Sequence, residues 1–189
     1  MLQELLLKNR SYRRFEENHL IETQILKDLI NLARFSPSSG NLQPLKYMIS
    51  NDPVKNSLIF PNLGWARYLE NWNGPSAGEK PSAYILILGD TQITNSFGCD
   101  DGIAAQNILL GAVEQGLGGC MISSIYRENI QQALQIPIRY QILLIIALGK
   151  PKEQIIIEPI PSDGNIKYWR DHNQIHHVPK RRLDDIIVS

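Results

Sequence analysis

Residues 36–44 read SPSSGNLQP and stand directly behind a helical pattern. Prolines and a glycine at this density cannot continue a helix, so the preceding helix is expected to end here. The hydroxyls, side-chain amides and backbone N–H groups of the stretch can contact a polar ligand. Taken alone, the stretch is better explained as a helix stop followed by turns, which need the same residue types.

The segments on either side of this stretch predict intermixed helices and strands. Predicted helices cover residues 2–8, the segment from Thr23 (a candidate N-cap) to Pro37, 102–115 and 127–134. Predicted strands cover residues 47–50, 83–90, 118–123 and 142–149. Few strands without regular alternation favour an α+β fold, with one central sheet and helices on its faces.

Residues 51–81 carry a weaker pattern, dense in Asn, Pro and Gly with interleaved aromatic residues such as Trp65 and Trp72. Within it, GWARYLENW (residues 64–72) predicts one short helix. We expect the segment to be a cover or an insertion on the main core.

Bulk composition limits the class of protein. The chain has 189 residues, 43% of them hydrophobic and 20% charged, which fits one soluble domain covering 1–189. Its net charge of zero provides no global field toward nucleic acid or an anionic membrane, and no apolar run is long enough to span a bilayer. Two cysteines, Cys99 and Cys120, are too few for a disulfide framework, so a cytoplasmic location is expected.

Two basic clusters lie near the two ends of the chain. Three arginines and a serine within NRSYRRF (residues 9–15) can hold a phosphate by charge-assisted contacts. These residues are Arg10, Ser11, Arg13 and Arg14. The second cluster comprises Lys180, Arg181 and Arg182. Alone, each is more simply explained as a solvated basic segment.

Other candidate sites give weaker signals. Gly116, Gly118 and Gly119 could let the backbone approach a ligand, or could form a helix cap and a tight turn. The histidines near the end of the chain lack the carboxylate or cysteine partners that a metal site needs, so no metal is expected. No side chain stands out as a nucleophile or general base. If the chain is an enzyme, a cofactor is expected to carry the reactive atom.

These motifs, in this order, resemble those of the nitroreductase family of FMN-dependent oxidoreductases. NRSYRRF resembles the opening basic motif of the family, and SPSSGNLQP its Pro-Ser-x-x-Asn-x-Gln-Pro signature. GIAAQNILLGAVEQGLGG is similar to its central helix and glycine turn, IPIRYQILLIIALGKP to its late strand, and HVPKRRLDDII to its closing segment. The resemblance spans nearly the whole chain, and five motifs in order outweigh the simpler explanations of each.

The resemblance implies a nitroreductase-like α+β fold, with a central mixed or antiparallel sheet, and an intertwined homodimer holding two FMN molecules at its interface. Arg10, Ser11 and Arg13 would face the phosphate, the ribityl chain and the pyrimidine side. Residues of the signature, several of them from the partner subunit, would also bind the cofactor. They are Pro37, Ser38, Ser39, Asn41 and Gln43. Lys180 with Arg181 or Arg182 would hold the phosphate, and the backbone near Ile122, Ser123 and Ser124 would lie beside flavin N5.

The resemblance also implies a reaction. NADH or NADPH would deliver hydride to FMN, and a nitroaromatic, a quinone or a related electron-poor acceptor would then be reduced in a ping-pong cycle. A cation near the pyrimidine edge, with Arg13 as the candidate, would stabilise the anionic reduced flavin. The alternatives are another flavin reaction on the same fold (flavin reduction or reductive dehalogenation) or a non-catalytic FMN sensor or carrier. The expected partners are a second copy of the chain and small aromatic electron acceptors, and neither nucleic acid nor a membrane is expected.

Two positions depart from the family pattern. Asn9 stands where the opening motif often has its first arginine, so one phosphate contact is either missing or supplied by Arg14. Leu45 stands where a tryptophan often follows Gln-Pro, which alters the packing behind the flavin ring. Residues 51–81 are the candidate cover over the flavin.

Overall fold

The two most apolar segments of the chain form the central strands of an antiparallel sheet. In this computed structural model, which describes residues 2–188, β2 (Ala83–Asp90) pairs with β4 (Tyr140–Gly149). β1 (Leu45–Ser50) lies outside β2 and β3 (Gly118–Ile122) outside β4, in the order β1-β2-β4-β3. Every residue of β2 is buried, because helices cover both faces of the sheet.

Strand alternation divides the core into two clusters, one on each face of the sheet. On the first face, Ile85 and Ile87 pack with α2 (Thr23–Ala33) and α4 (Asp100–Glu114). On the second face, Leu86 packs with apolar side chains of two short helices. These are α3 (Pro53–Ile59) and α5 (Arg127–Ala133), and a further helix, α1 (Leu2–Lys8), opens the chain. The α+β prediction with a central antiparallel sheet is therefore confirmed.

The end of the chain forms a second, smaller sheet. β5 (Ile155–Pro159) pairs parallel with β7 (His176–Lys180), and β6 (Trp169–Arg170) pairs antiparallel with β7 on its other side. The sequence did not predict these strands. They are short, β5 ends in Glu-Pro, β7 contains Pro, Lys and two histidines, and all but one of the residues of β5 and β7 are partly buried or exposed, so they lack a period-2 apolar pattern.

The short helix predicted at 64–72 was wrong. This part of the chain consists of turns, and Ala66 has a left-handed backbone with φ of 25°. The segment instead contains α3, whose start is fixed by Pro53 and by the Asp52 side chain, which accepts a hydrogen bond from the backbone of Val54 at 2.9 Å. The N-cap of α2 is Glu22 rather than Thr23.

The segment that follows α1 runs along the outer edge of β3. Ser11 forms an isolated bridge with Gly119, and Phe15 forms another with Pro151. The glycine turn before β3 allows this close contact. Gly116 follows the end of α4 with a φ of 73°, and a Cβ on Gly118 would lie 2.5 Å from the Tyr12 ring. Among residues 2–188, no helix has the length and apolar character required to cross a bilayer.

We expect Gly119→Ala to destabilise the fold by about 1–3 kcal/mol, the usual cost of overpacking a close contact. The added Cβ would lie 2.3 Å from the carbonyl oxygen of Ala147, a backbone atom that cannot rotate away. Gly102→Ala in α4 is the matched control, because an added Cβ there meets nothing within 4 Å. Urea unfolding at one protein concentration measures both; equal stability of the two variants would contradict the prediction.

Candidate functional site

The first predicted group of site residues lies in the loop after α1. Arg10 Nη2 donates to the backbone carbonyl of Leu6 at 2.6 Å, whereas its Nε is buried and has no partner among residues 2–188. Ser11 is exposed. Arg13 Nη1 donates to the carbonyl of Ser11 at 3.2 Å, and its guanidinium carbon lies 5.1 Å from the centre of the Tyr168 ring. The buried Nε of Arg10 needs an acceptor, and a phosphate oxygen fits that need.

The backbone of this loop is held by Glu153, whose side chain is 1% exposed. One carboxylate oxygen accepts the backbone N–H groups of both Arg13 and Arg14, and the other accepts Arg170 Nη2 at 2.9 Å. Every one of these bonds is charge-assisted, so the loop is fixed independently of its own side chains. Sequence analysis missed Glu153, because nothing in a polar tail distinguishes it from a surface carboxylate.

Arg14 is engaged elsewhere. Its Nε and Nη2 donate to the two carboxylate oxygens of Glu79 at 2.7 and 2.6 Å, and Lys152 Nζ lies 3.4 Å from the same carboxylate. These two donors form a planar bidentate pair, which leaves Arg14 poorly placed to replace the arginine absent at Asn9. The hydrogen bond from Arg14 lowers the pKa of Glu79 below its ordinary value.

The outer edge of β3 continues past this loop. Tyr12 N–H donates to the carbonyl of Gly119 at 3.1 Å, so Gly119 directs its backbone groups away from β4. Alternate residues of an antiparallel strand direct both backbone groups to the same side, so Met121 shares this edge. β3 ends at Ile122, and the carbonyl of Ser123 beyond it accepts Arg127 Nη2 at 3.3 Å, from a guanidinium that also donates to carbonyls of β4. Ile122 turns its side chain into the core. The predicted contact of flavin N5 with the backbone near Ile122, Ser123 and Ser124 stays a prediction.

No activated thiol lies on this edge. Cys120 is buried in β3, and burial raises its pKa to about 12, as for an inert structural thiol.

The second predicted group, in the signature loop 36–44, lies at the start of α4. Ser38 Oγ donates to one carboxylate oxygen of Asp100 at 2.6 Å, and the backbone N–H of Ser39 donates to the other at 3.1 Å. Asp100 is 4% exposed and occupies the first turn of α4. Burial, followed by the charge of Asp100, raises the pKa of neighbouring Tyr47 to about 12. Sequence analysis missed Asp100, because acidic residues are common in the first turn of a helix for the dipole alone.

The signature loop has a strained backbone. Gly40, Asn41 and Gln43 have φ values of 58°, 55° and 51°, and such a conformation costs a non-glycine residue about 1–3 kcal/mol. Three contacts hold it: Gln43 N–H donates to Ser38 Oγ at 2.9 Å, Gln43 Nε2 donates to the Asn41 side chain at 3.2 Å, and Asn107 Nδ2 donates to Ser36 Oγ at 2.8 Å. Pro37 and Ser38 line a neighbouring cavity of about 250 Å³.

The third predicted group lies beyond β7. Lys180 ends the strand, and Arg181 and Arg182 line an open cleft of about 520 Å³, whose other lining residues are Ile160, Pro161, Ser162, Gly164 and Asp185. All three side chains are exposed. Within residues 2–188, no hydrogen bond or ion pair joins the three predicted groups to one another. Within one copy of the chain, no direct polar contact therefore brings them together.

The histidines belong to the small sheet. His177 Nδ1 lies 3.0 Å from a carboxylate oxygen of Glu158, and its ring stacks on Trp169 at 4.2 Å. His176 is 1% exposed, and burial together with Arg13 and Arg170 lowers its pKa to about 4, so it is neutral at pH 7. In the described part of the chain, no group of three or more His, Cys, Asp or Glu side chains is arranged to hold a metal ion.

Residues 51–81 connect to the first group through aromatic side chains. The rings of Tyr68 and Tyr168 lie 5.1 Å apart, and Tyr168 is the ring beneath Arg13. Arg170 lies 4.3 Å over Trp72, and Gly64 N–H donates to the carbonyl of Ser124 at 2.8 Å. The segment thus reaches both the basic loop and the end of β3. That it covers a flavin stays a prediction.

Comparison of the chain with known proteins identifies a family whose sequence pattern it matches. A sequence model described as the Nitroreductase family matches residues 6–73 and 89–150. The chain is 27% identical over 163 residues to a Bacillus subtilis protein named FMN reductase (NADPH); the match covers 78% of this chain and 65% of that protein.

Two solved structures share the fold. A nitroreductase family protein from Streptococcus pneumoniae TIGR4 has a TM-score of 0.71 at 18% identity, with all of both chains covered. An FMN-dependent nitroreductase from Clostridium difficile R20291 has a TM-score of 0.63 at 24% identity, with 79% of this chain and 87% of that chain covered.

We expect the Arg14–Glu79 pair to stabilise the fold in a pH-dependent way. Because the folded pKa of Glu79 lies below its ordinary value of 4.5, the contribution is complete above pH 4.5 and is lost as the pH falls through the folded pKa. Glu79→Gln should therefore show a shallower loss of stability below pH 4.5 than the unmodified chain. Glu16→Gln, which removes the exposed partner of Lys150, is the control and should follow the unmodified chain. Chemical unfolding across this pH range tests the difference, and parallel curves for Glu79→Gln and the unmodified chain would refute it.

Proposed function

Because the chain belongs to the nitroreductase family, we propose that it is an FMN-dependent oxidoreductase, which takes reducing equivalents from NADH or NADPH and passes them to nitroaromatics, quinones or related electron-poor acceptors. The observation that carries the proposal is the basic loop of the family, with Arg10 and Arg13, docked along the outer edge of β3. The names of the B. subtilis and C. difficile relatives, both of which include FMN, support it.

The residues present fit FMN. Arg10 has a buried Nε without an acceptor, Ser11 offers an exposed hydroxyl, and Arg13 is held in place by Tyr168. A phosphate is the acceptor that such a donor set suits, with Lys180 and one of Arg181 and Arg182 as the proposed additional cations.

The chemistry would come from the cofactor: FMN held by these residues would supply two-electron redox chemistry between the nicotinamide and the acceptor, in a ping-pong cycle. The role of the chain would be to position the flavin and to stabilise the charge of its reduced form. Ser123 would direct its N–H toward flavin N5 from the edge of β3. Arg13 would place a fixed positive charge beside the pyrimidine edge, where it favours the reduced anion.

We further propose that two copies of the chain complete each site. The signature loop and the basic loop share no hydrogen bond or ion pair within residues 2–188 of one copy, and a shared site in a homodimer would account for this. Apolar side chains that one copy leaves exposed on α1, α2 and the end of the chain supply the expected interface. They are Leu2, Leu6, Leu7, Leu32, Leu183, Ile186 and Ile187.

Flavin reduction is the second candidate function, favoured by the name of the B. subtilis relative. The same site would then release reduced flavin or reduce a second, freely diffusing flavin. Supplying free FMN or riboflavin beside a nitroaromatic and a quinone, and comparing rates after reduction of the bound cofactor, separates the two functions.

The decisive experiment is an anaerobic absorbance spectrum of the purified protein, before and after addition of NADH and then NADPH. We expect a yellow protein whose flavin band bleaches, and the faster donor identifies the nicotinamide used. A yellow protein that stays oxidised would favour the sensor or carrier role. A colourless protein that FMN does not reconstitute would overturn the proposal.

Arg10→Ala should weaken FMN binding by about 1.5–3 kcal/mol, the cost of a lost charge-assisted hydrogen bond. That cost is roughly ten- to a hundredfold in Kd. Lys180→Ala should have a similar effect, and Ser39→Ala a smaller one of about 1 kcal/mol, as for a neutral hydrogen bond. Lys8→Ala removes an exposed positive charge two residues from Arg10 and is the control. Titration of apoprotein with FMN, followed by flavin fluorescence, measures each Kd; an unchanged value in both Arg10→Ala and Lys180→Ala would refute the phosphate assignment.

A further inference from the structure

We propose that Asp100 is a positioning residue, which holds the signature loop 36–44 in the conformation that faces FMN. The inference rests on the proposed function, since it concerns the same cofactor. It assigns a role to a side chain outside the signature, 56 positions beyond Pro44.

Both carboxylate oxygens of Asp100 are used by the loop. One accepts the Ser38 hydroxyl and the other accepts the backbone N–H of Ser39, at 2.6 and 3.1 Å. Ser38 Oγ in turn accepts the N–H of Gln43 at 2.9 Å. These hydrogen bonds, from Gln43 to Ser38 and from Ser38 to Asp100, form a relay that spans the residues with left-handed backbone. The relay thus attaches the strained part of the loop to α4.

Asp100 in turn depends on the loop for its hydrogen-bond donors. Asp100 is 4% exposed, and no Lys, Arg or His of the described residues lies within ion-pair distance of it. A buried carboxylate needs hydrogen-bond donors, and two donors of the loop supply them. In Asp100→Asn, the side chain keeps its size but has one accepting atom instead of two and no charge, so Ser38 and Ser39 can no longer both donate to it in charge-assisted bonds.

This arrangement divides the serines of the signature into two roles. The Ser38 hydroxyl hydrogen is directed to Asp100, so Ser38 acts on FMN through the shape of the loop. The Ser39 hydroxyl is exposed and has no hydrogen-bond partner within residues 2–188, so Ser39 is the serine available for direct contact. Asp100→Asn and Ser38→Ala should therefore behave as one perturbation, and Ser39→Ala as a separate one.

The test compares Asp100→Asn, Ser38→Ala and their double variant with Asp101→Asn. The last variant removes a charge from the same turn of α4 without touching the loop. Titration of each apoprotein with FMN should show about tenfold weaker binding for Asp100→Asn and for Ser38→Ala. The double variant should bind no more weakly than the weaker single variant, since both remove the same relay. Asp101→Asn should stay within twofold of the unmodified chain.

Amide hydrogen exchange of the apoproteins gives a second readout that needs no cofactor. The amides of Ser39 and Gln43 should exchange faster in Asp100→Asn than in Asp101→Asn, while the exchange of the β2 amides should not change.

Equal FMN affinity and equal exchange in Asp100→Asn and Asp101→Asn would overturn the inference. Failure of the unmodified chain to bind FMN would instead overturn the proposed function, and exchange at Ser39 and Gln43 would then decide the role of Asp100 alone. If Asp100→Asn does not fold, Ser38→Ala, which removes one hydroxyl, carries the same comparison.

Discussion

The buried carboxylate of Glu153 joins three parts of the molecule that lie far apart in sequence. It accepts two backbone N–H groups of the basic loop and the guanidinium of Arg170. The loop follows α1, Glu153 lies just after β4, and Arg170 lies in the small sheet. A carboxylate at 1% exposure would be costly without these donors, so the basic loop, the segment after β4 and the small sheet stabilise one another through Glu153.

A second buried carboxylate, Asp100, has the same relation to the signature loop. In both places an acidic side chain holds the backbone of a segment that is proposed to bind an anionic cofactor. This division of labour keeps each carboxylate satisfied by neighbouring N–H and O–H groups, while the hydroxyl of Ser39 and the Nε of Arg10 keep their capacity for a ligand. The carboxylates of Glu153 and Asp100 therefore set the backbone geometry of the proposed site, whereas basic side chains such as Arg10 would supply the positive charge that faces the ligand.

The apolar core could be predicted from the sequence, because period and burial go together in β2, β4, α2 and α4. The tail could not, because β5 and β7 are short, each contains a proline, and they gain their structure from pairing with each other rather than from a local pattern. At the proposed site, the motifs singled out Arg10 and the signature serines as candidates, yet the side chains that hold their loops were missed. Asp100 and Glu153 carry no motif, and only the folded chain shows that each is buried against a loop distant in sequence.

The Nitroreductase family match stops at residue 150, yet Glu153, Tyr168 and Arg170, which set the conformation around Arg13, all follow it. The basic loop and the tail therefore form one contact unit, although the amide of Arg13 and the carboxylate of Glu153 lie 140 positions apart in sequence. A substitution in either part is expected to change which residues the other part tolerates. A chimaera that joins the front of this chain to the tail of a relative would separate the amides of Arg13 and Arg14 from the carboxylate that holds them.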